Sequence, residues 1–335
     1  MGNSINHIFI NMVDKDTIQK AIKNASKDKG DQYAIIKTLK DEKGNINKLH
    51  TSLVTKKFTP SPYKEETKKC RTKVRLIKKH PFYPDRVVEH CIALVMLPHW
   101  NKIIRDCTFA SWKGRGILSK NKYYNINHRI KKYICGHKLK DPLYCLRFDI
   151  QKCYESIDNE VLKTVVAKYC KDQDVNKVIF DFIDSCKGLP IGSYLSQLLI
   201  NIYLTQLDNF ILNECKASEY VRYMDDGAIF SEDKHFLHVV KHRIQNYLWY
   251  VLHLELNSKR QVFPLGKNRR GRSLDLCGYC FYRNFTLVRK RTKKRIKTRK
   301  DNPKSMASYK GILMGCESKN LIKSLGYDNL QELGH

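Results

Sequence analysis

Helical periods and short apolar runs alternate along the chain, and the changes of period mark out its elements. Residues 1 to about 60 read as helical and polar, with Asp16 as a capping residue ahead of Thr17-Ile18-Gln19-Lys20-Ala21-Ile22. Phe58-Thr59-Pro60-Ser61-Pro62-Tyr63 is expected to be extended, because a residue before proline avoids the helical region. Basic and apolar residues alternate from Thr72 to Lys79, the pattern of an exposed strand with one charged face. Pro81-Phe82-Tyr83-Pro84 leads into a predicted amphipathic helix from Asp85 to about Leu97. A basic loop over 107–118 and a basic helix over 127–140 follow. Tyr144 to Ile150 reads as an apolar strand carrying one acid, Asp149. A helix opens near Ser156-Ile157-Asp158, and another covers about 173–186. Gly188-Leu189-Pro190-Ile191-Gly192 interrupts, and a long apolar helix runs from Ser196 through Leu207.

Two strand-like runs, Tyr220-Val221-Arg222-Tyr223 and Ala228-Ile229-Phe230, flank Met224-Asp225-Asp226-Gly227. Asp226-Gly227 is a turn signal, so a hairpin with acids at its tip is expected. A helix near 233–253 and short strands up to Tyr282 complete the pattern. Taken alone, Asp-Asp-Gly describes a solvated turn. Asp149 changes that reading, because an acid inside an apolar strand is costly to bury unless it is paired or bound to metal. Three carboxylates brought together form an oxygen-rich site that suits Mg²⁺. Two such ions about 4 Å apart can clamp the attacking and leaving oxygens of a phosphoryl displacement.

Composition sharpens this picture. The chain has 335 residues and 42% hydrophobic content, enough for two or three subdomains around a real core. No apolar run of about 18 residues occurs, so no membrane span is expected. The N-terminus lacks a secretory layout, and Ile5-Asn6-His7 offers no hydroxyl for a myristoylation signal after Gly2. Twelve cysteines are scattered through apolar stretches, as in a reduced cytoplasmic protein. Cys277-Gly278-Tyr279-Cys280 has the spacing of a zinc half-site but no second pair. The formal charge of +30 calls for a polyanionic partner, with nucleic acid the foremost class. From Gly266 to Lys300 there are fourteen Lys or Arg and one acid, Asp275. Arg289 to Lys300 is predicted to be a helix with positive charge on most faces, which packs poorly in a core.

The order of an acid strand (Asp149), a glycine break with a long helix (Gly192 to Leu207) and an acid hairpin (Asp225, Asp226) resembles the palm of reverse transcriptases. The likeness covers about residues 60 to 325. It is nearest to the small stand-alone bacterial enzymes of diversity-generating retroelements and related defence-associated enzymes. It implies an α+β right-hand polymerase fold, with fingers and palm, an antiparallel palm sheet and a short helical thumb. The divisions expected are an N-terminal helical extension (1–60), fingers (61–145), a palm with inserted fingers helices (146–280) and a basic thumb (281–335). The activity implied is RNA-directed DNA polymerisation on a template RNA, in a diversity-generating retroelement or, alternatively, in antiphage defence on an associated noncoding RNA, using dNTPs and two Mg²⁺ ions, with Mn²⁺ as a substitute. Further partners implied are the RNA–DNA hybrid and either a small accessory protein or a structured noncoding RNA, with no membrane.

Residue by residue, the resemblance makes Asp149, Asp225 and Asp226 the catalytic acids and adds Ile150 to the metal-binding set. Lys73 and Arg75 match fingers residues that contact the triphosphate. Tyr154 matches the bulky residue that blocks a ribose 2′-OH, although on the residues alone it is equally a core tyrosine. Ile191, Gly192 and Gln197 match the motif at the nucleotide. Many family members carry Gln before this glycine; Ile191 removes that polar group, and the Ser196-Gln197 ending is typical of the diversity-generating enzymes. Relaxed fidelity is therefore implied. Lys259 matches a lysine that protonates pyrophosphate, or is a surface lysine. Cys277, Gly278 and Tyr279 resemble the primer grip. Arg289, Lys290, Arg291, Lys293, Lys294 and Arg295 read as a duplex-binding surface. Retron motifs (Asn-Ala-x-x-His, Val-Thr-Gly) are not found, and the length leaves no room for the maturase and endonuclease regions of group II intron enzymes or for an RNase H domain. A protein of polymerase shape that only binds nucleic acid is the competing class.

Overall fold

The computed structural model describes residues 8–27, 32–70, 73–135, 141–258 and 260–332, without the side chains of 69, 70, 73 and 75. Four helices open the described chain: α1 (Ile8–Val13), α2 (Lys15–Ser26), α3 (Tyr33–Lys40) and α4 (Glu42–Val54). The cap of α2 is Asp14, whose carboxylate accepts from the amides of Asp16 and Thr17; Asp16, the expected cap, lies in the first turn. Strand β1 (Lys64–Cys70) pairs antiparallel with β2 (Lys73–Lys79), the latter as expected and the former not foreseen. A π-helical turn, Phe82–Arg86, leads into α5 (Val87–Trp100). That helix is not amphipathic. Val87, Val88, Cys91, Ile92, Ala93, Met96 and Trp100 are all buried, and α1 and α2 pack against it.

Next come α6 (Ile126–Cys135), β3 (Tyr144–Asp149), α7 (Cys153–Ser156) and α8 (Asn159–Tyr169), the last capped by Asp158. Then follow α9 (Gln173–Asp184), capped by Asp172, and α10 (Tyr194–Asn209). The basic helix predicted over 127–140 thus starts at Ile126, and residues 136–140 lie outside the described ones. Strands β4 (Tyr220–Tyr223) and β5 (Asp226–Ser231) precede α11 (Lys234–Tyr250). Strands β6 (Gln261–Pro264), β7 (Leu274–Leu276), β8 (Tyr279–Phe281) and β9 (Thr286–Val288) are followed by α12 (Lys290–Thr298), α13 (Pro303–Leu313) and α14 (Lys319–Lys323).

Two compact units emerge. One contains Met1–Arg105, Gln151–Leu207 and Leu248–Leu254; the other contains Asp106–Ile150, Asp208–Tyr247 and Glu255–His335. The first holds the β1–β2 hairpin and most of the helices. The second holds a four-stranded antiparallel sheet in the order β4-β5-β3-β6 and a three-stranded antiparallel sheet, β7-β8-β9. Its core joins Ile126, Ile130 and Ile134 of α6 to Cys145, Val221, Ala228, Phe230 and Phe263 of the larger sheet. Leu274, Leu276, Tyr279 and Phe281 of the smaller sheet complete that core. The basic helix α12 does pack, through a single residue: Ile296 is fully buried with Met306, Leu313 and Ile322. Among the described residues, no helix is long and apolar enough to cross a membrane.

The hairpin of β4 and β5 turns two residues earlier than the Asp-Gly signal suggests. Tyr223 pairs with Asp226, so the turn is Met224-Asp225, and Met224 takes a left-handed φ of 57°. Gly227 lies within β5, opposite Phe148 of β3, and its missing Cβ makes room for that ring. A Cβ there would lie 2.2 Å from Phe148 Cζ. Gly227→Ala is therefore expected to destabilise the protein by about 1–3 kcal/mol through overpacking. Urea denaturation measures this, and a smaller ring-replacing side chain, Phe148→Leu, in the Gly227→Ala background recovers part of the loss.

Candidate active site

The antiparallel register sets Asp149, the last residue of β3, directly opposite Asp226, the first of β5. Directly opposed residues of one pair share a sheet face, with Cβ atoms about 5 Å apart. Asp225 follows from the turn: the Ile150 amide donates to the Asp225 carbonyl at 3.2 Å, tying the strand end to the tip. The three acids and Ile150 singled out from the sequence are thus brought to one end of one sheet.

Each acid is held by neighbours that the sequence did not announce. The Asn257 amide donates to the Asp149 carbonyl at 2.7 Å, and its side-chain Nδ2 donates to Asp149 Oδ2 at 3.0 Å. Arg147, two residues before Asp149 on β3, reaches Asp226 Oδ1 with Nη2 at 3.2 Å. The turn itself is gripped from below. Arg222 of β4 donates from Nη1 to the Met224 carbonyl at 3.0 Å. Its other nitrogens bind Asp208, Nε to Oδ1 at 2.8 Å and Nη2 to Oδ2 at 2.7 Å. Nη2 also reaches Thr108 Oγ1 at 3.0 Å, and Tyr220 donates to Asp208 Oδ1 at 3.0 Å. Thr108, Asp208, Tyr220 and Arg222 are all 0% exposed. Burial opposes the Arg222 charge, but Asp208 outweighs it and raises the guanidinium pKa.

Among the described residues, no three His, Cys, Asp or Glu side chains form a ready-made ion cage. Magnesium rarely has one: it is commonly held by one or two carboxylates, with water and substrate phosphates completing the shell. The hard oxygens of Asp149 and Asp225 fit that ion, while Asp226 is partly neutralised by Arg147.

The turn between β7 and β8 carries Cys277 and Gly278, both left-handed, at φ 52° and 92°. Burial pushes the Cys277 thiol up, and the Asp226 carboxylate is the next contributor, so this turn lies within electrostatic reach of the acids. Tyr279 is buried and donates its hydroxyl to the Ile312 carbonyl at 2.8 Å. Arg289 forms an ion pair with Asp275, which removes it from the set of unengaged cations. Lys290, Arg291, Lys293 and Lys294 are exposed on α12, Arg295 is half-buried, and none has a salt bridge to a described carboxylate.

Six nucleotide-site candidates, Lys73, Arg75, Tyr154, Ile191, Gly192 and Gln197, lie in the other unit. Lys73 and Arg75 fall on β2, but their side chains are outside the described residues, as is the whole of Lys259. Strand β2 meets the glycine break directly: the Lys78 amide donates to the Ile191 carbonyl at 3.1 Å. Gly192, at φ 118°, presses so close to β2 that a Cβ would lie 2.9 Å from Ile77 Cγ2. Tyr154 on α7 is half-buried, and its carbonyl accepts from the Leu189 amide at 2.7 Å, which places it beside the same break. Gln197 is half-buried on the first turn of α10. Glu89, a buried acid of α5, caps that helix from 105 residues away in sequence, accepting from the amides of Tyr194 and Leu195 at 3.0 and 3.4 Å. Burial pushes its pKa above 4.5, although Ser193 and the two amides pull it back.

Two outcomes follow. Asp208→Asn leaves the Arg222 charge buried without its counter-ion and is expected to cost about 3–5 kcal/mol of unfolding free energy. Calorimetry checks this, and adding Arg222→Met restores much of the loss. For Glu89 the folded state binds its proton more tightly than the unfolded chain, so the stability penalty is absent at low pH and develops as pH rises through its folded pKa. Glu89→Gln keeps an acceptor without the charge. Its stability relative to the parent should therefore rise as pH increases above 4.5, measured by denaturation across a pH series. A constant difference would show that Glu89 is not the titrating group.

Comparisons with known proteins agree with this architecture. The family model described as "Reverse transcriptase (RNA-dependent DNA polymerase)" matches residues 64–269. The group II intron-encoded protein LtrA of Lactococcus lactis subsp. cremoris is 23% identical over 180 residues, which is 50% of this chain and 28% of LtrA. The chain thus spans little more than a quarter of that relative's length. Apo telomerase from Candida tropicalis, truncated from its C-terminal domain, superposes with a TM-score of 0.52 at 16% identity, covering 72% of this chain and 60% of that one. Telomerase from Candida albicans in complex with the TWJ fragment of telomeric RNA superposes with a TM-score of 0.52 at 12% identity, covering 83% and 60%. At such identities the superpositions establish the fold alone, mixed α and β with antiparallel sheets, as in right-hand polymerases. With a family match over more than half its length, the chain belongs to the reverse transcriptase (RNA-dependent DNA polymerase) family.

Proposed function

We propose that this chain is an RNA-directed DNA polymerase that copies a noncoding template RNA into cDNA, with low fidelity, as part of a diversity-generating retroelement. The observation that carries the polymerase reading is the register that opposes Asp149 to Asp226 and ties Asp225 to Ile150. The reaction joins a primer 3′-oxygen to the α-phosphorus of a dNTP and releases pyrophosphate. Asp149 and Asp225 would hold two Mg²⁺ ions, or Mn²⁺ in their place. When bound there, the ions supply charge neutralisation of the triphosphate and a more acidic primer hydroxyl.

The protein's own part is orientation. Asn257 fixes the Asp149 carboxylate, Arg147 keeps Asp226 from repelling its neighbours at full charge, and Arg222 sets the height of the turn. Lys73 and Arg75 are assigned to the triphosphate. Tyr154 is assigned to the sugar, where an aromatic ring excludes a 2′-hydroxyl. Ile191, Gly192 and Gln197 are assigned to the nascent base pair, and Lys259 to the pyrophosphate leaving group. Cys277-Gly278-Tyr279 seats the primer end, and the exposed cations of α12 follow the duplex phosphates. Low fidelity rests on Ile191, which offers no hydrogen bond where a glutamine is common, and on the Ser196-Gln197 ending.

Asp225→Asn removes one negative ligand. Primer extension on an RNA template is expected to fall to background, with template affinity retained. Full activity in that variant places the chemistry elsewhere. RNA binding without any metal-dependent dNTP incorporation by the unmodified protein makes it a nucleic-acid-binding relative of the polymerases.

A further inference from the structure

A stretch that the polymerase reading does not use has an unusual charge pattern. Residues 107–140 contain nine Lys or Arg and no Asp or Glu. Its described part lies within the second unit as a closed loop followed by α6. The loop is stitched by backbone bonds, Gly116 to the Tyr124 carbonyl at 3.0 Å and Ile126 to the Gly116 carbonyl at 3.0 Å. Two arginines are engaged with rings within it: Arg115 stacks over Tyr124 and Arg129 over Tyr123, each 4.6 Å from the ring centroid. Asp106, just before the stretch, pairs with Arg115 at 3.9 Å and accepts from the Tyr123 hydroxyl. Helix α6 is anchored along its first two turns, with Asn127 and Lys131 donating to the Gly315 carbonyl at 2.8 and 3.2 Å.

What remains outside is a fixed, unneutralised cationic face. Lys113, Lys120, Lys122, His128 and Lys132 are exposed or half-exposed, and none of the four lysines has a salt bridge to a described carboxylate. Tyr123 is 50% exposed among them. The charges converge: the His128 imidazole is held below the usual histidine range by partial burial, then by Lys122, Lys132, Arg129 and Lys131. A cluster of like charges held on a rigid platform is electrostatically unfavourable until an anion covers it.

We propose that the face formed by Lys122, His128 and Lys132, flanked by Lys113, Lys120 and Tyr123, is a docking surface for the phosphate backbone of folded RNA, separate from the polymerisation site. Lysine ammonium groups read phosphate position and not base identity, so the surface recognises RNA by shape and charge spacing. The exposed Tyr123 ring is available to an unpaired base at the edge of a stem. This assignment rests on the polymerase reading for its choice of RNA over other polyanions. Its role is to hold a structured part of the template molecule that is not being copied.

The test uses the full chain and a charge-reversed variant, Lys122→Glu/Lys132→Glu, at exposed positions where folding is not at stake. The first readout is affinity for a hairpin RNA across a salt series. We expect roughly tenfold weaker binding and a log–log salt slope shallower by about 1.4–1.8, since each phosphate left unneutralised removes ~0.7–0.9 from the slope. The second readout is extension of a short DNA primer on an unstructured RNA oligonucleotide at saturating concentration, expected to be unchanged. Lys122→Gln/Lys132→Gln should fall between parent and reversed variant in affinity. Unchanged hairpin affinity and slope overturn the proposal. So does weakened binding of poly-glutamate with RNA binding intact, which would assign the face to an acidic protein. Failure of the unmodified protein to extend any primer defeats the polymerase reading without touching the hairpin measurement.

Discussion

The buried pairing of Arg222 with Asp208 is the interaction on which the candidate site depends. Taking two charges out of water costs several kcal/mol each, and only close, multiple hydrogen bonds offset it. Here the guanidinium makes two bonds to the carboxylate, one to Thr108 and one to the Met224 carbonyl. The last of these matters most for function. It reaches out of the core to the one residue of the turn with a left-handed backbone, immediately before Asp225. The loop's position is therefore set by a charge in the core, and an error in the core becomes an error in the acids. A hydrophobic replacement of the pair could fill the same space, but it would have no donor for that carbonyl.

The same logic explains why an acid-rich end of a sheet exists in so basic a protein. Asp149 and Asp226 face each other across a strand pair, an arrangement that like charges disfavour. Arg147, two residues back along β3, relieves part of it, and Asn257 supplies a neutral donor that fixes Asp149 without cancelling its charge. A second arginine in place of Asn257 would hold Asp149 more tightly but would compete with a divalent ion for the same oxygens. The local mix of one cationic and one neutral partner suits the site of the proposed reading, which stays ordered and leaves the Asp149 oxygens their charge.

Much of this was legible in the sequence, and the failures share a cause. The strand ending in Asp149, the acid hairpin, the glycine break and the long helix after it were all readable from period and punctuation. The turn was misplaced because Asp226-Gly227 looks like a turn pair, whereas Gly227 is required beneath the Phe148 ring and Met224 is held by Arg222. Strand β1, Lys-Glu-Glu-Thr-Lys-Lys-Cys, has no apolar alternation because its residues 64–68 are all exposed, so neither face is buried against a core. Helix α5 looked amphipathic because Glu89 and His90 interrupt it, yet Glu89 is buried as the cap of a helix far along the chain. Arg222, Asp208, Thr108, Asn257 and Glu89 are polar residues acting across long sequence separations. Period-based reading finds residues that share a face of one element, and it has no signal for a polar residue that serves another.

Burial also divides the cations into two groups that answer differently to the medium. Arg222 is enclosed, and ions in solution screen it little; the geometry it imposes on the Asp225 turn should be nearly independent of salt. Lys122, Lys132 and the α12 lysines are on the surface, and their attraction for phosphate is screened within about 8–10 Å at physiological ionic strength. On the proposed reading, a change in polymerisation with salt reports on nucleic acid held at the surface and not on the arrangement of the acids. The fold separates a salt-resistant geometric function, in the core of one sheet, from a salt-sensitive affinity spread over the outside of the same unit. That separation allows affinity for a polyanion to be altered, through surface lysines, without moving the carboxylates.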